Sequence, residues 1–118
     1  MCSSDLITAS LGAEIQPCRL ASGTQSNDGS VAQPAYSGLL KATNAARVRV
    51  HFRDFHLGPG SYVRLQSVQD SGEQRLDAAA MTNWGSTSAI FNGGAVRVEL
   101  YVGSGDQDAF FEIGRAHV

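Results

Sequence analysis

Acidic side chains in two predicted turns are the residues best suited to hold a metal ion. Asp106 and Asp108 follow the glycine-containing segment at 103–105, and Asp70 lies in an earlier turn. Calcium takes about six to eight oxygen ligands, which loop carboxylates often supply. These three residues are therefore calcium candidates, although acidic loops without a metal are common. Otherwise the sequence predicts no cofactor, because it has no Cys/His spacing for zinc and no glycine-rich phosphate loop followed by lysine.

Two histidines, His51 and His56, at first suggest a metal-binding or acid–base pair around Asp54. The residues around them alternate as in a strand, and strand residues five positions apart point to opposite faces of the sheet. The two imidazoles therefore cannot share a site unless a bulge lies between them. We expect His51 on the wet face of its strand and His56 in the loop before Gly58.

A catalytic serine is not predicted. A serine hydrolase needs an activated nucleophile, often on a sharp turn flanked by glycines, with histidine and aspartate brought to it in space. No Gly-x-Ser-x-Gly pattern occurs in the chain. The nearest segment is Gln-Asp-Ser-Gly at 69–72, which lacks the first glycine and lies where a turn between strands is expected. The sequence therefore predicts no catalytic residues.

Trp84 and a group of arginines are the remaining candidates for contact with a ligand. Trp84 is the only tryptophan and precedes a predicted hairpin at 90–96, where Asn-Gly and Gly-Gly pairs allow a tight turn. An anchor at the edge of the core is the simpler role for it, and stacking on a ligand is the alternative. Arg47, Arg49 and Arg53 share one strand face, which is either a solvated face or a binding stripe.

The elements that position these candidate residues are predicted to be strands. Apolar and polar residues alternate at 46–53, 63–66 and 96–102, and weaker strand signals lie at 36–43, 74–81, 86–91 and 109–113. Residues 77–82 also fit a short helical turn, because alanine and methionine have weak β propensity. Turn residues separate the strands at intervals of about 8–12 residues. This pattern predicts an all-β fold, an antiparallel β-sandwich of jelly-roll or CUB-like type with about seven strands.

Both ends of the chain resemble a translated sequencing adapter. Residues 1–6 fit the codons of a common short-read adapter, and residues 113–118 fit its reverse complement. We therefore expect both ends to be non-native, which removes Cys2 and His117 from the inventory of native functional groups. Between them we predict an upstream segment and linker at 7–33 and a β-sandwich domain at 34–112. We therefore also expect flanking domains in the parent protein.

Composition narrows the classes of partner. The chain has 118 residues, a net charge of −2 and a single lysine, Lys41. No basic cluster of the kind that nucleic acids or anionic membranes require is evident, so neither partner is predicted. No apolar stretch approaches the ~20 residues that span a bilayer. Abundant Gly, Ser and Asn in turns favours an extracellular or cell-surface protein, in which Cys18 is either disulfide-bonded outside the chain or a free thiol.

Two segments carry a resemblance to a known family. At 46–60, a strand with Phe52 and Phe55 leads through Leu-Gly-Pro-Gly into the next strand, and at 84–100 a turn precedes a Val-Arg-Val-Glu-Leu strand. These segments resemble the N-terminal β-domain of secreted bacterial trypsin-like and lysyl-endopeptidase-like serine peptidases. In that family the catalytic domain follows the β-domain. The resemblance therefore assigns no catalytic residue to this chain.

The expected function is that of a non-catalytic accessory or binding module in a larger secreted bacterial protein, such as a serine peptidase. Its partners would be neighbouring domains of the parent chain and a glycan or protein ligand. The alternative is a carbohydrate- or calcium-dependent adhesion module. β-Sandwich folds host both functions, so the choice depends on the residues of the site.

Overall fold

The computed structural model describes residues 2–3, 15–42 and 45–117. Within these ranges the chain forms nine strands and one short helix. The elements in chain order are β1 Cys2–Ser3, β2 Ile15–Ala21, β3 Gln33–Ala42, β4 Arg47–His56, β5 Tyr62–Ser67, β6 Glu73–Leu76, α1 Ala78–Asn83, β7 Phe91–Asn92, β8 Ala95–Val102 and β9 Phe110–His117.

The strands form two antiparallel sheets. The first sheet has the order β1-β3-β8-β5-β6, and the second has the order β2-β9-β4-β7. Hydrogen-bonded partners are nested along the chain, because β2 pairs with β9, β3 with β8, β4 with β7 and β5 with β6. Nested pairs divided between two sheets are the arrangement of an eight-stranded jelly roll, to which β1 adds a short edge. The predicted all-β antiparallel sandwich is confirmed.

The core lies between the two sheets and follows from the two-residue period of the strands. Along β8, Val96, Val98 and Leu100 are fully buried, whereas the residues between them face outward. Phe111 of β9 contacts both layers, because its ring meets Tyr36 edge-on at 5.5 Å and Phe52 at 6.0 Å between ring centroids. Each such aromatic pair contributes about 0.5–1.5 kcal/mol beyond area burial.

The region after β6 settles the open choice between strand and helix. The sequence favoured a strand at 74–81 and allowed a helical turn at 77–82. In the structure the strand ends at Leu76, and Asp77 caps the helix by accepting a hydrogen bond from the Ala80 N–H at 2.8 Å. The alternative of a helical turn is confirmed, because an aspartate N-cap followed by three alanines stabilises a helix.

The segment from 86 to 96 differs from the prediction of a strand followed by a hairpin. Only Phe91–Asn92 is a strand, and β7 and β8 belong to different sheets, so the hairpin prediction is wrong. Gly93, at φ +84°, turns the chain from one sheet to the other. A Cβ at Gly94 would collide with the Ala42 carbonyl oxygen. These glycines therefore allow the chain to cross between the sheets. A crossing and a tight hairpin turn both need glycine, so the sequence looks the same in the two cases.

The residues before position 34 contribute to the sandwich. β2 pairs with β9 at the edge of the second sheet, and Leu20 is buried. The loop after β2 is fixed by Asn27, whose Nδ2 donates to the Val102 carbonyl at 2.8 Å and to the Val31 carbonyl at 2.9 Å. The folded unit therefore begins earlier than the expected boundary at 34. Cys18 lies in β2, and its side chain lies outside the described part of the chain.

Both adapter-like ends contribute backbone to the sheets. Cys2–Ser3 pairs with Lys41 and Ala42 of β3, and residues 113–117 complete β9. Ile113 is fully buried because it continues the inward-facing row of Phe111, and a register shift at Gly114 turns Ala116 inward as well. The origin of these residues stays a prediction. Residues 1, 4–6 and 118 belong to the same adapter-like segments and lie outside the described residues.

Candidate functional site

The outer surface of the second sheet carries a group of basic side chains, which we call the basic face. On β4, Val48, Val50 and Phe52 point into the core, so the residues between them point outward. The register places His117 of β9 opposite Arg49, and Arg115 opposite His51. The basic face consists of Arg47, Arg49, His51 and Arg53 of β4 with Arg115 and His117 of β9.

Three of the four arginines of the basic face form no ion pair with a residue that the structure describes. Arg53 is 65% exposed and forms one ion pair, with its Nε 3.3 Å from Glu112 Oε1. Exposed pairs of this type contribute about 0–1 kcal/mol. Among the described side chains, Arg47, Arg49 and Arg115 form no ion pair. The basic face therefore has a surplus of positive charge on a chain whose net charge is −2.

A cavity of about 520 Å³ opens at one end of the basic face. Arg47 and Arg49 form its charged wall, and Ile90, which is 56% exposed, forms part of its apolar wall. The Nε of Arg49 is shielded from solvent and has no hydrogen-bond partner. A buried donor without a partner costs about 1–3 kcal/mol, so this atom reduces the stability of the folded protein. The lining consists of Ala46, Arg47, Val48, Arg49, Ile90 and His117.

A second cavity of about 370 Å³ lies further along the same face. Arg53 and Arg115 provide its charge, and Ser86 provides a hydroxyl group. It is smaller and more polar than the first cavity. Its lining also includes His51, Phe52, Gly85 and Gly114.

Between the cavities, His51 and His117 form a direct contact. His51 Nε2 and His117 Nδ1 are 3.0 Å apart, so one nitrogen must carry the proton that the other accepts. Burial lowers the pKa of His51, and the positive charges of Arg115, His117 and Arg49 lower it further. The lowered pKa keeps His51 neutral at pH 7.

His51 occupies the predicted outward position, but His56 does not lie in a loop. β4 continues to His56, and two register shifts interrupt the strand between the two histidines. A bulge between His51 and His56 is what would allow the two imidazoles to share a site. Among the residues that the structure describes, no group of three or more His, Cys, Asp or Glu side chains is arranged to hold a metal.

The calcium candidate Asp106 has a structural role in the loops at one end of the sandwich. It is 7% exposed, and its Oδ2 accepts hydrogen bonds from Ser61 Oγ at 2.6 Å and from the Gly60 N–H at 3.0 Å. Ser61 Oγ in turn accepts from the Gly103 N–H at 3.0 Å. Asp106 and Ser61 thereby join the β4–β5 loop to the β8–β9 loop.

The other two acidic candidates lie apart from one another. Asp108 is exposed at φ 57°, and its N–H donates to Ser26 Oγ. Asp70 lies beyond β5 at the opposite end of the first sheet from Asp106, and it accepts from Asn92 Nδ2 and from the Gly72 N–H, each at 2.9 Å. These hydrogen bonds, that from Asn92 foremost, lower the pKa of Asp70. Asp70 therefore cannot join Asp106 in one calcium site.

Two further sequence candidates lie at turns. Ser71 adopts φ 63° in the turn between β5 and β6. Trp84 ends the helix, where its backbone N–H donates to the Ala80 carbonyl, and 44% of the residue is exposed. Trp84 is neither in the buried cluster of the core nor among the partly buried residues packed against it, so the simpler prediction of an anchor at the core edge is wrong. Its assignment as a ligand-stacking residue stays a prediction.

The outer surface of the first sheet carries charges as well, and we call it the paired face. Arg64 Nη1 contacts Glu99 at 2.6 Å, and Arg64 Nη2 contacts Glu73 at 2.8 Å. Arg75 pairs with Glu73 at 3.0 Å and also lies over the ring of Tyr62 at 5.2 Å. These hydrogen bonds raise the pKa of Arg64 and lower that of Glu73. The charges of these four residues thus compensate one another.

An aromatic stack extends the paired face. The rings of Tyr62 and Tyr101 lie 4.9 Å apart and almost parallel, at 8°. They belong to directly opposite residues of β5 and β8. Arg75 lies near the Tyr62 ring, so the stack and the ion pairs form one continuous network.

No protein-family model, curated protein or solved structure matches the chain. In the part of the chain that the structure describes, no helix is long and apolar enough to cross a membrane.

Proposed function

We propose that the chain is a non-catalytic binding module of a larger secreted bacterial protein, and that its basic face binds an anionic partner. The observation that carries this proposal is the cavity beside Arg47 and Arg49, two cations that form no ion pair with any residue the structure describes. Unpaired cations held on a rigid sheet attract and orient an anion at little conformational cost.

The roles of the other polar residues agree with a binding function. Asp106 and Ser61, an acid and a hydroxyl in direct contact, are both buried and hydrogen-bonded to loop backbone. Asp77 caps the helix. These groups stabilise the sandwich, whereas Arg47 and Arg49 have no partner within the described chain.

The peptidase context rests on the resemblance at 46–60. That segment forms β4, which carries the basic face, and the turn into β5. In the proposed parent protein, neighbouring domains would be joined to this module at its ends. The basic face would then bind a ligand for the parent enzyme, or a surface of another domain, while catalysis takes place elsewhere.

Binding to immobilised acidic polymers tests the proposal. The protein is passed over dextran sulfate and polyglutamate surfaces, with uncharged dextran as the blank. The double variant Arg47→Gln/Arg49→Gln is compared with Lys41→Gln/Arg97→Gln, which removes the same charge from exposed positions of the first sheet. We expect the first variant to bind at least about tenfold more weakly and the second to bind almost as well as the wild type. Equal losses in the two variants would show that only net charge matters.

A further inference from the structure

We infer that the cavity between Arg47, Arg49 and Ile90 binds the carboxylate of an acidic sugar, a uronate unit of an anionic glycan. This inference rests on the proposed function and names the ligand class for the same site. Five of the six lining residues lie between positions 46 and 90, so the cavity depends mainly on residues away from the adapter-like ends.

The charged wall suits a carboxylate. A guanidinium presents its N–H donors in a planar fork that matches the two oxygens of a carboxylate. Arg49 and Arg47 both line the cavity, and neither forms an ion pair with a residue that the structure describes. Arg47 lies two positions away on the same side of β4, which separates the two Cα atoms by about 7 Å. A ligand carboxylate therefore meets two guanidinium groups that no described acid neutralises.

The rest of the cavity suits a sugar ring. A volume of about 520 Å³ is larger than a simple inorganic anion requires, and it lies within the range of about 300–1,000 Å³ for small-molecule sites. Ile90 leaves 56% of its surface exposed beside the two arginines. An apolar wall next to a basic wall fits a ligand with C–H groups on one side and a carboxylate on the other.

The backbone around the cavity disfavours an acidic peptide. An extended peptide commonly binds by adding a strand to a free sheet edge. Both edges of β4 are occupied, by β9 on one side and by β7 on the other. Beyond β7, Ser88 covers the second edge, because Val50 N–H donates to its hydroxyl and its own N–H donates to the Val50 carbonyl. Recognition at this face must therefore use side chains, as glycan binding does.

The test is calorimetric titration of the protein with three probes of matched length. These are tetragalacturonate, its fully methyl-esterified form, in which each carboxylate is replaced by an ester, and tetraglutamate. Each probe is titrated into the wild type, Arg49→Lys, Arg49→Gln and the control Arg97→Gln. Circular dichroism and thermal melts verify that each variant is folded.

We expect tetragalacturonate to bind, and both the methyl ester and tetraglutamate to bind at least about tenfold more weakly. Arg49→Gln should lose about tenfold or more in affinity, and Arg49→Lys should lose nearly as much, because lysine keeps the charge but not the fork. Arg97→Gln should bind like the wild type.

The outcomes separate the two proposals. Equal binding of tetraglutamate and tetragalacturonate, with Arg49 required for both, would overturn the glycan inference and leave an anion-binding module. Equal binding of the methyl ester would also overturn the inference, since the carboxylate would then be irrelevant. If no acidic probe or acidic polymer surface bound the folded wild type, both proposals would be contradicted.

Discussion

Arg64 and Arg49 lie on the outer surfaces of the two sheets of one sandwich, in opposite electrostatic surroundings. Arg64 lies between Glu73 and Glu99, and its guanidinium contacts both carboxylates. Arg49 faces His117 across the sheet, forms no ion pair with a described residue, and holds one donor without a partner. The same residue type on the same kind of strand is thus paired with carboxylates in one sheet and, under the proposed function, binds an anionic ligand in the other. The charges of the paired face compensate one another, whereas Arg47, Arg49 and Arg115 of the basic face form no ion pair with a described residue.

The largest expected effect is on the paired face. Arg64→Gln removes both ion pairs and leaves Glu73 and Glu99 without their shared cation. Because the Arg64 side chain is only 21% exposed, we expect the free energy of unfolding to fall by about 1–2 kcal/mol in chemical denaturation. Arg97→Gln, an exposed position on the same sheet, is the control and should change stability by less than about 0.5 kcal/mol. If Arg64→Gln left the free energy of unfolding unchanged, the network would not stabilise the protein.

The matching change on the basic face should act in the opposite direction. Arg49→Gln removes a positive charge close to Arg47 and Arg115 and relieves an unpartnered donor. We expect the free energy of unfolding to rise by about 0.5–1 kcal/mol in the absence of ligand. Denaturation at low salt would measure this gain, and added salt should reduce it. A loss of stability comparable to that of Arg64→Gln would show that Arg49 is paired after all.

Acid should lower the stability of the protein through the two faces in two different pH ranges. Burial and neighbouring cations lower the pKa of His51 from its ordinary 6.5, so the unfolded chain binds more protons there. Stability therefore falls as pH drops through 6.5 to the pKa of the folded state. Arg64 and Arg75 lower the pKa of Glu73 from its ordinary 4.5, so its contribution is present above pH 4.5 and is lost below it.

Single substitutions separate these two windows. His51→Gln should flatten the stability profile below pH 6.5 and leave the loss below pH 4.5 in place. Glu73→Gln should do the reverse. Chemical denaturation at half-unit steps of pH gives both profiles, and a His51→Gln profile that coincides with that of the wild type would remove the charge argument for the basic face.

The smallest expected effect concerns calcium. Asp106 already accepts hydrogen bonds from Ser61 and Gly60, and Asp70 accepts from Asn92 and Gly72 at the other end of the sheet. We therefore expect no rise in melting temperature on addition of calcium after treatment with a chelator. A site filled at about 100 times its Kd would add about 2.7 kcal/mol, which a thermal melt would detect. Such a rise would support the calcium-dependent adhesion alternative.

The strands that the sequence predicted well are those with one buried and one wet face. The alternation of Val48, Val50 and Phe52 with arginines predicted both β4 and the direction of its basic residues. The region at 86–96 was harder, because Gly93 and Gly94 serve a crossing between sheets as well as they would serve a hairpin. Local turn residues cannot distinguish these cases, since the difference lies in which distant strand pairs with each side.

For the sites, too, the sequence predicted the types of residue but not the contacts between distant segments. The arginines of β4 were candidates for a binding stripe, but the cavity wall formed by Ile90 depends on a contact between segments about forty residues apart along the chain. The pairing of Arg64 with Glu73 and Glu99 likewise depends on the register of β5 with β6 and β8. The acidic loops suggested calcium, and only the folded arrangement shows that Asp106 and Asp70 are separated. Residue types indicated chemistry, whereas the pairing of strands decided which groups meet.

The most direct test of the difference between the faces is to map ligand contacts on the folded protein. Amide chemical-shift changes can be recorded by NMR during titration with tetragalacturonate, and with dextran sulfate as a second anion. We expect changes concentrated at Arg47–Arg53 and Ile90, with β5 and β6 of the paired face unchanged. Changes concentrated on β5 and β6, or no saturable change with either anion, would contradict this expectation.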